Sequence, residues 1–363
     1  MHQSTERYQR QIILEGFGIA AQEKLTNAHV LVIGAGGLGC PILQYLAAAG
    51  VGNLGIADDD IVSIANLNRQ ILYGQDDIGK YKVDVAAEKI SALNNQINIT
   101  VYNQRWNQLL SIEHFPKYNI IVDATDNFAT RYLINDACVL LNKPLVYGAV
   151  SKYEGQVAVF NMSLNGMAIN YRDLFPEPPK EDEVQSCAEA GVLGVLPGII
   201  GTMQATEVIK LITGIGNPLI NQLRIYNAKK QELYAIQLTK NALIAKIFPT
   251  NIPEFLQTNY QSLCEVNNNC SISINDWLLN KEKFLLVDLR ELNELPRINQ
   301  FEHFALPLST LKGNWKDLTN KDIVFICQSG IRSKKAAAMF NGTDQKFYSL
   351  LGGVDQLVQL KII

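Results

Sequence analysis

Charge of one sign is not in excess: 32 Lys and Arg stand against 35 Asp and Glu in 363 residues, a formal net charge of −3. Nothing in that balance serves to neutralise a nucleic-acid backbone or an anionic bilayer surface, so neither is expected as a partner. Long apolar runs are also missing. The longest tracts, such as AGVLGVLPGIIG (190–201), are broken by Gly and Pro and fall short of the roughly 20 residues that cross a bilayer. The opening MHQSTERYQRQ holds no apolar signal core. The six cysteines, at 40, 138, 187, 264, 270 and 327, are too few and too scattered for a disulfide framework. A reduced, cytoplasmic protein is the expectation. No internal repeat or low-complexity tract occurs.

What is present is an ordinary globular composition, 47% hydrophobic and 18% charged. The chain is too long for one core, since cores stop growing at roughly 250–300 residues. Up to about residue 245, β-branched runs alternate with helical patterns. HVLVIG, NLGIADDD, INITVYNQ and NIIVDATD read as strands; CPILQYLAAAG, YKVDVAAEKISALN and ATRYLINDACVLLN read as helices, the second with Ala86, Ile90 and Leu93 on one face. That alternation predicts an α/β fold, a parallel sheet wound on both faces. KPLVYGAV and EGQVAVFN suggest an antiparallel extension. Residues 246–270 are polar and poorly periodic and read as a linker. A second, smaller α/β unit is expected over 271–363, from the helices INDWLLN and RSKKAAAMF and the strands KFLLVDLRE, DIVFICQSG and KFYSL.

The first chemical signal is VLVIGAGGLGC. In Gly34-x-Gly36-Gly37-x-Gly39, the glycines let the backbone approach a phosphate chain, whose oxygens accept from N–H groups at the positive end of the next helix. Asp58 and Asp60 follow at the next strand end, where a carboxylate takes ribose hydroxyls. On these grounds alone NAD is the first candidate. The cations further on argue against it: Asn66, Arg69, Gln70 and Lys82 suit a triphosphate under nucleophilic attack better than hydride transfer. Read singly, Arg69 and Lys82 are solvated surface charges. VDATDNFATRY ends another strand with Asp123, Asp126 and Asn127; Asp126 reads either as a cap of the next helix or as a ligand of the Mg²⁺ that accompanies ATP.

Together RYQRQIIL, LVIGAGGLG, ADDDIVSIANLNRQIL, GKYKV, DATDNFATRYLINDACVLLNKPLVYGAV, LFPEPP and SCAEAGVLGVLPGIIGTMQATEVIKLITGIG resemble, in order from about Arg7 to Ile236, the adenylyltransferases that activate ubiquitin-like sulfur carriers for molybdopterin or thiamine synthesis. That family is similar in fold to the ubiquitin-activating enzymes, a Rossmann-like doubly wound sheet. The resemblance implies that a carrier's C-terminal glycine carboxylate attacks the α-phosphate of Mg·ATP, giving an acyl-adenylate and pyrophosphate. It implies that Gly34, Gly36, Gly37 and Gly39 cradle the nucleotide with Asn66 and Asn127 beside it, that Asp58 and Asp60 hold the ribose end, that Arg69 and Lys82 hold phosphates, and that Asp126 binds Mg²⁺. Arg10 resembles an arginine that reaches the partner subunit's phosphates, which implies a homodimer. Cys187 stands where some members carry a reactive cysteine that forms a thioester or acyl disulfide; its alternative is a small apolar filler.

The chain departs from many relatives at a zinc site. Asn170 and Asp173 occupy the place of one Cys-x-x-Cys pair, and LIAKIFPTNIPEF, near the second, has no cysteine. Tetrahedral zinc needs four N or S ligands, so no structural zinc is expected.

VFICQSGIRSKKAAAMF carries a second chemistry. A six-residue loop from Cys327 to Arg332 joins a strand to a helix, and its N–H groups can converge at the positive helix end, where a thiolate is favoured. Cys-x₄-Arg is the loop length of rhodanese domains, shorter than that of the cysteine phosphatases. LLVDLRE, ALPLSTL and LLGGVDQL also resemble the rhodanese pattern, although the usual Trp after Gly-Gly and the usual Gly-His are absent. The resemblance implies a Cys327 persulfide, its anion stabilised by Arg332 and the loop amides, loaded by a sulfane-sulfur donor such as a cysteine desulfurase or thiosulfate. An inert thiol in a degenerate domain is the alternative. The two halves together imply that a sulfur-carrier protein is adenylated and then converted to its thiocarboxylate, with molybdopterin synthesis as the first candidate pathway.

Overall fold

The computed structural model describes residues 2–177, 191–241, 249–260, 270–291, 293–311, 321–340 and 346–363. Among these, two compact units separate, one up to residue 260 and one from residue 270.

The first unit opens with α1 (His2–Ile12) and α2 (Gly18–Asn27), then alternates β1 (His29–Ile33), α3 (Gly39–Ala49), β2 (Asn53–Ala57), α4 (Lys82–Leu93), β3 (Asn98–Tyr102), α5 (Gln108–His114), β4 (Ile120–Asp123), α6 (Phe128–Leu140) and β5 (Leu145–Ser151). The strands β3-β2-β1-β4-β5 lie side by side and are parallel. Each face of the sheet is buried. Along β1, Val30 and Val32 pack with Ile42, Leu46 and Val83, whereas Leu31 and Ile33 pack with Phe115, Tyr132 and Ile134. An apolar strand with no polar face follows from helices on both sides. On α4, Ala86 and Ile90 are buried, but Leu93, expected on the same face, is 43% exposed because it is the helix's last residue.

β6 (Glu154–Phe160) pairs antiparallel with β5. After a small hairpin, β7 (Ser163–Leu164) and β8 (Met167–Ala168), come α7 (Tyr171–Leu174), the long α8 (Val195–Thr213), and the antiparallel β9 (Gln222–Asn227) and β10 (Glu232–Gln237). The tract judged too broken to span a bilayer lies at the start of α8, which is an unbroken 19-residue helix, long and apolar enough to do so by length and composition. Pro197 sits in its first turn, where no intrahelical N–H is lost. The helix packs into this core: Leu196, Ile200 and Val208 are buried, and Gln204 Nε2 donates to the Asp123 carbonyl at 2.8 Å.

The stretch 246–270, expected as a linker, is in part built into this unit. α9 (Ile252–Gln257) is capped by Asn251, whose Oδ1 accepts from Glu254 N at 3.0 Å. Phe255 is 0% exposed, and Tyr260 Oη donates to Asp136 Oδ2 at 2.8 Å. Six helical residues with one buried side chain leave no periodicity to detect.

The second unit holds β11 (Ser271–Ile272), α10 (Ile274–Leu279), β12 (Phe284–Asp288), β13 (Phe304–Ala305), β14 (Asp322–Ile326), α11 (Ile331–Met339), β15 (Phe347–Leu350) and α12 (Gly353–Gln359). Its sheet, β11-β15-β14-β12-β13, is wholly parallel. Both faces are again covered, Phe325 packing with Ala336 and Ala337, and Val324 and Ile326 with Trp277 and Leu357.

Phe255→Ala should destabilise the first unit by about 3–5 kcal/mol, the usual cost of emptying a buried phenylalanine site. Chemical denaturation followed by a first-unit probe measures it; an unchanged midpoint would return residues 249–260 to the role of a linker.

Candidate active sites

Strand order reverses between β1 and β4, and the chain leaves both at their carboxyl ends, the place where open α/β sheets bind ligands. A cavity of about 330 Å³ opens there, walled by the loops after β1, β2, β3 and β4. Its floor is the glycine turn. Gly34 has φ +99°, and a Cβ on it would lie 2.6 Å from the Ala124 carbonyl oxygen; one on Gly39 would lie 2.0 Å from the Gly34 carbonyl oxygen. Those two glycines let β1, β4 and α3 close up. At Gly36 a Cβ would meet nothing nearer than Gln70 Nε2 at 3.5 Å. The space above Gly36 is that of the pocket.

Asp58 ends β2 half-buried and spans the turn: Oδ2 accepts from Ala35 N at 2.7 Å and Oδ1 from Asp60 N at 2.9 Å. Burial raises its pKa, opposed by the Lys82 charge. Lys82, the first residue of α4, is only 4% exposed, and its Nζ donates to Asp60 Oδ2 at 2.7 Å. It is not a solvated surface charge, because Asp60 and the pocket wall enclose it. Arg69 is half-buried on the same wall, its Nη1 donating to the Ala65 carbonyl and to Asn68 Oδ1, each at 3.0 Å. Gln70 Oε1 is buried there with no hydrogen-bond partner among the described residues.

The loop after β4 gives the helix cap to Asn127, not to Asp126. Asn127 caps α6, its Oδ1 accepting from Thr130 N at 2.9 Å. Asp126 is left exposed on the pocket wall. Behind it, Asp123 is wholly buried; its Oδ1 accepts from Thr125 N and Oγ1, and Oδ2 lies 3.5 Å from Arg131 Nε. Burial raises the Asp123 pKa, against the pull of Arg131.

The cavity thus brings together Gly34, Gly36, Gly37, Asp58, Asp60, Arg69, Lys82, Asp126 and Asn127. Gly39 lies beneath it. Asn66 does not line it; its carbonyl accepts from Arg69 N and Gln70 N, which shapes the turn that presents both. Arg10 is exposed on α1 and also outside the lining. Cys187 lies outside the described residues. Asp59, Gln104, Arg105 and Trp106 line the pocket unanticipated; the signal for the last three was their position just after the third parallel strand.

In the second unit, Cys327 follows β14 and is 1% exposed. Ser333 N donates to its Sγ at 3.4 Å, and Ser333 Oγ lies 3.5 Å away. Val354 N at the start of α12 donates to the Cys327 carbonyl and Asp355 N to that of Gln328, each at 2.9 Å, which pins the loop from behind. Arg332 is forked onto Glu294, Nη1 to Oε1 and Nη2 to Oε2 at 2.6 Å each. The Arg332 hydrogen bonds hold the Glu294 pKa down to about 2; Glu294 in turn raises that of Arg332, with a smaller contribution from Cys327. Arg332 is therefore shared between a carboxylate and the thiol side of the loop. The partner Glu294 was not read from the sequence.

A glutamate free in solution titrates near 4.5. Because the folded value is lower, the pair's contribution to stability is complete above that pH and disappears as pH falls toward 2. Glu294→Gln should therefore lower the thermal midpoint of the second unit at pH 7, and the gap to wild type should shrink between pH 5 and pH 3. A gap of constant size would mean that the carboxylate charge plays no part.

Comparison with known proteins identifies both parts of the chain. Residues 8–243 match the ThiF family model and residues 275–359 the rhodanese-like domain model. The probable adenylyltransferase/sulfurtransferase MoeZ of Mycobacterium tuberculosis is 39% identical over 340 residues, covering 92% of this chain and 87% of its own. The sulfur carrier protein adenylyltransferase of Thermus thermophilus is 48% identical over 238 residues, 65% of this chain and 88% of that one. A probable molybdopterin-synthase adenylyltransferase of Porphyra purpurea is 36% identical over 352 residues, 96% and 91% of the two chains. The chain belongs to the ThiF family and carries a rhodanese-like domain after its ThiF domain.

Proposed function

We propose that the first unit adenylates the C-terminal glycine of a ubiquitin-like sulfur-carrier protein and that the second supplies the sulfur that displaces AMP. The observation that carries this reading is one pocket in which a glycine turn, Arg69, Lys82 and Asp126 face the same space, in a chain that also holds a Cys327 loop. A carboxylate is a poor acyl donor until its oxygen becomes a good leaving group. Its attack on the α-phosphorus of ATP expels pyrophosphate and leaves the acyl group on AMP. Negative charge grows on the phosphoryl oxygens in that step, and preplaced cations lower its energy. Arg69 and Lys82 supply them, Lys82 by exchanging Asp60 for phosphate. Gly34, Gly36, Gly37 and Gly39 shape the phosphate seat, Asp58 and Asp60 face the ribose end, and Asn66 and Asn127 hold the loops on either side.

Mg²⁺ prefers oxygen ligands and takes one or two carboxylates beside phosphates. Asp126 fits that demand, since Asn127 has taken over the helix cap and left the carboxylate exposed on the wall. Bound with ATP, the ion would neutralise phosphate charge.

Sulfur transfer then uses a Cys327 persulfide, loaded by a sulfane-sulfur donor such as a cysteine desulfurase or thiosulfate. Its terminal sulfur attacks the acyl carbon, AMP leaves, and an acyl disulfide forms. A thiol, for which Cys187 is the candidate, attacks the Cys327 sulfur, releases the carrier thiocarboxylate and leaves a disulfide with Cys327 that an external dithiol reduces before the next turnover. Arg332 and the loop amides stabilise the persulfide anion. Arg10 lies outside its own pocket, which suits a homodimer in which it serves the partner's nucleotide. The name of the Porphyra purpurea relative supports molybdopterin synthesis over thiamine synthesis or tRNA thiolation, and the proposed setting is cytoplasmic.

Carrier-dependent exchange of labelled pyrophosphate into ATP tests the first step. Exchange is expected with a molybdopterin-type carrier and absent without one. Exchange only with a thiamine-type carrier would move the enzyme to that pathway, and exchange with no carrier would overturn the reading. Asp126→Asn should cut the exchange on the order of 10²-fold. Mass spectrometry of the carrier tests the second step: Cys327→Ser should block thiocarboxylate formation, whereas full yield from that variant would make the loop inert.

A further inference from the structure

The backbone of Ala35, in the middle of the glycine turn, is held from three directions. Ala35 N donates to Asp58 Oδ2 at 2.7 Å. The Ala35 carbonyl accepts from Tyr73 Oη at 2.7 Å and, more weakly, from Cys40 Sγ at 3.6 Å. Tyr73 is 6% exposed and Cys40 0%, so this carbonyl points into the protein. A trans peptide sets the next N–H antiparallel to its C=O. The Gly36 N–H therefore points away from Tyr73, and Gly36 lines the pocket. The N–H groups of Gly36 and Gly37 have no protein acceptor among the described residues. Burial raises the pKa of the Tyr73 phenol and lifts that of the Cys40 thiol to about 12. Both groups remain proton donors near neutral pH.

Tyr73 also ties two parts of the site together. Its backbone N–H donates to the Gln70 carbonyl at 3.1 Å, on the turn that presents Arg69 and Gln70 to the pocket. One residue thus couples the cation-bearing turn, through its backbone, to the glycine turn, through its side chain.

We propose that Tyr73 is a positioning residue for the nucleotide's phosphates: its hydroxyl fixes the plane of the Ala35–Gly36 peptide so that the Gly36 N–H is aimed at a phosphate oxygen. This rests on the reading of the pocket as an ATP site. Without the hydroxyl, the peptide plane is held on its carbonyl side by a thiol alone, a weak donor. The Gly36 N–H is then less well aimed, while adenine and ribose are bound as before.

The test is direct titration of the full chain with ATP and, separately, with adenosine, for wild type and Tyr73→Phe, together with the thermal midpoint without ligand. Loss of one well-placed hydrogen bond should weaken ATP binding by about 3- to 10-fold and leave adenosine binding at the wild-type level. Cys40→Ala should give the same ATP-only pattern on a smaller scale, and it serves if Tyr73→Phe does not fold. Unchanged ATP binding in the folded variants overturns the proposal. Equal weakening of ATP and adenosine also overturns it, because a general distortion of the pocket would do that. A wild type that binds adenosine no worse than ATP would remove the phosphate site itself, and this inference with it.

Discussion

The close approach of α3 to the end of β1 is the constraint on which the first unit depends. The Gly39 Cα faces the Gly34 carbonyl so closely that a methyl group would be 2.0 Å from its oxygen, and one on Gly34 would be 2.6 Å from the carbonyl oxygen of Ala124, just after β4. With that contact made, the helix N-terminus, the switch in strand order and the carboxyl ends of the parallel strands coincide. Free N–H groups and the positive end of the helix then face one cavity. The aspartates of β2 do not oppose this arrangement. Asp58 spends its charge on Ala35 N of the glycine turn and Asp60 N of its own loop, and Asp60 holds Lys82 in place.

The second unit meets a similar demand on a smaller scale. Here too a strand runs into a loop and a helix, and a sulfur replaces the bound anion. The difference lies in what fixes the loop. In the first unit a tyrosine from a distant loop grips the key carbonyl; in the second, the N–H groups of α12 grip those of Cys327 and Gln328. The cations differ as well. Lys82 is held by a single oxygen of an exposed carboxylate, whereas Arg332 is forked onto Glu294 through two hydrogen bonds. A carboxylate so placed reduces the positive field at the thiol without removing the guanidinium.

Much of this was legible in the sequence, for physical reasons that differ by element. The parallel strands are apolar on both faces, so they announced themselves as runs without alternation. The glycine turn was legible because close approach leaves no alternative residue. Lys82 was not legible as a buried cation, since its burial depends on β2, far away in the chain. Neither was the division of labour between Asp126 and Asn127, two residues that can both cap a helix. Glu294 and Tyr73 were invisible because each acts through a partner about forty residues distant. The segment around α9 failed as a prediction because its role rests on Phe255 and Tyr260, too few residues to make a pattern.

Asn170 and Asp173, which stand where the resemblance implies a cysteine pair, belong to a polar network. Asn170 and Asp173 form a reciprocal cap at the start of α7, Asn170 Oδ1 accepting from Arg172 N and Asp173 Oδ2 from Asn170 N. Asp173 also reaches across the sequence, accepting from Asn241 N at 2.9 Å and from Lys240 Nζ at 3.1 Å. Between them, Arg172 is buried and forked onto Asp136, whose Oδ2 also accepts from Tyr260. Buried ion pairs of this kind add little over an apolar core, but losing one partner costs several kcal/mol, since a charge is then left buried alone. These hydrogen bonds join α6, α7, the chain after β10 and the segment after α9 in one register.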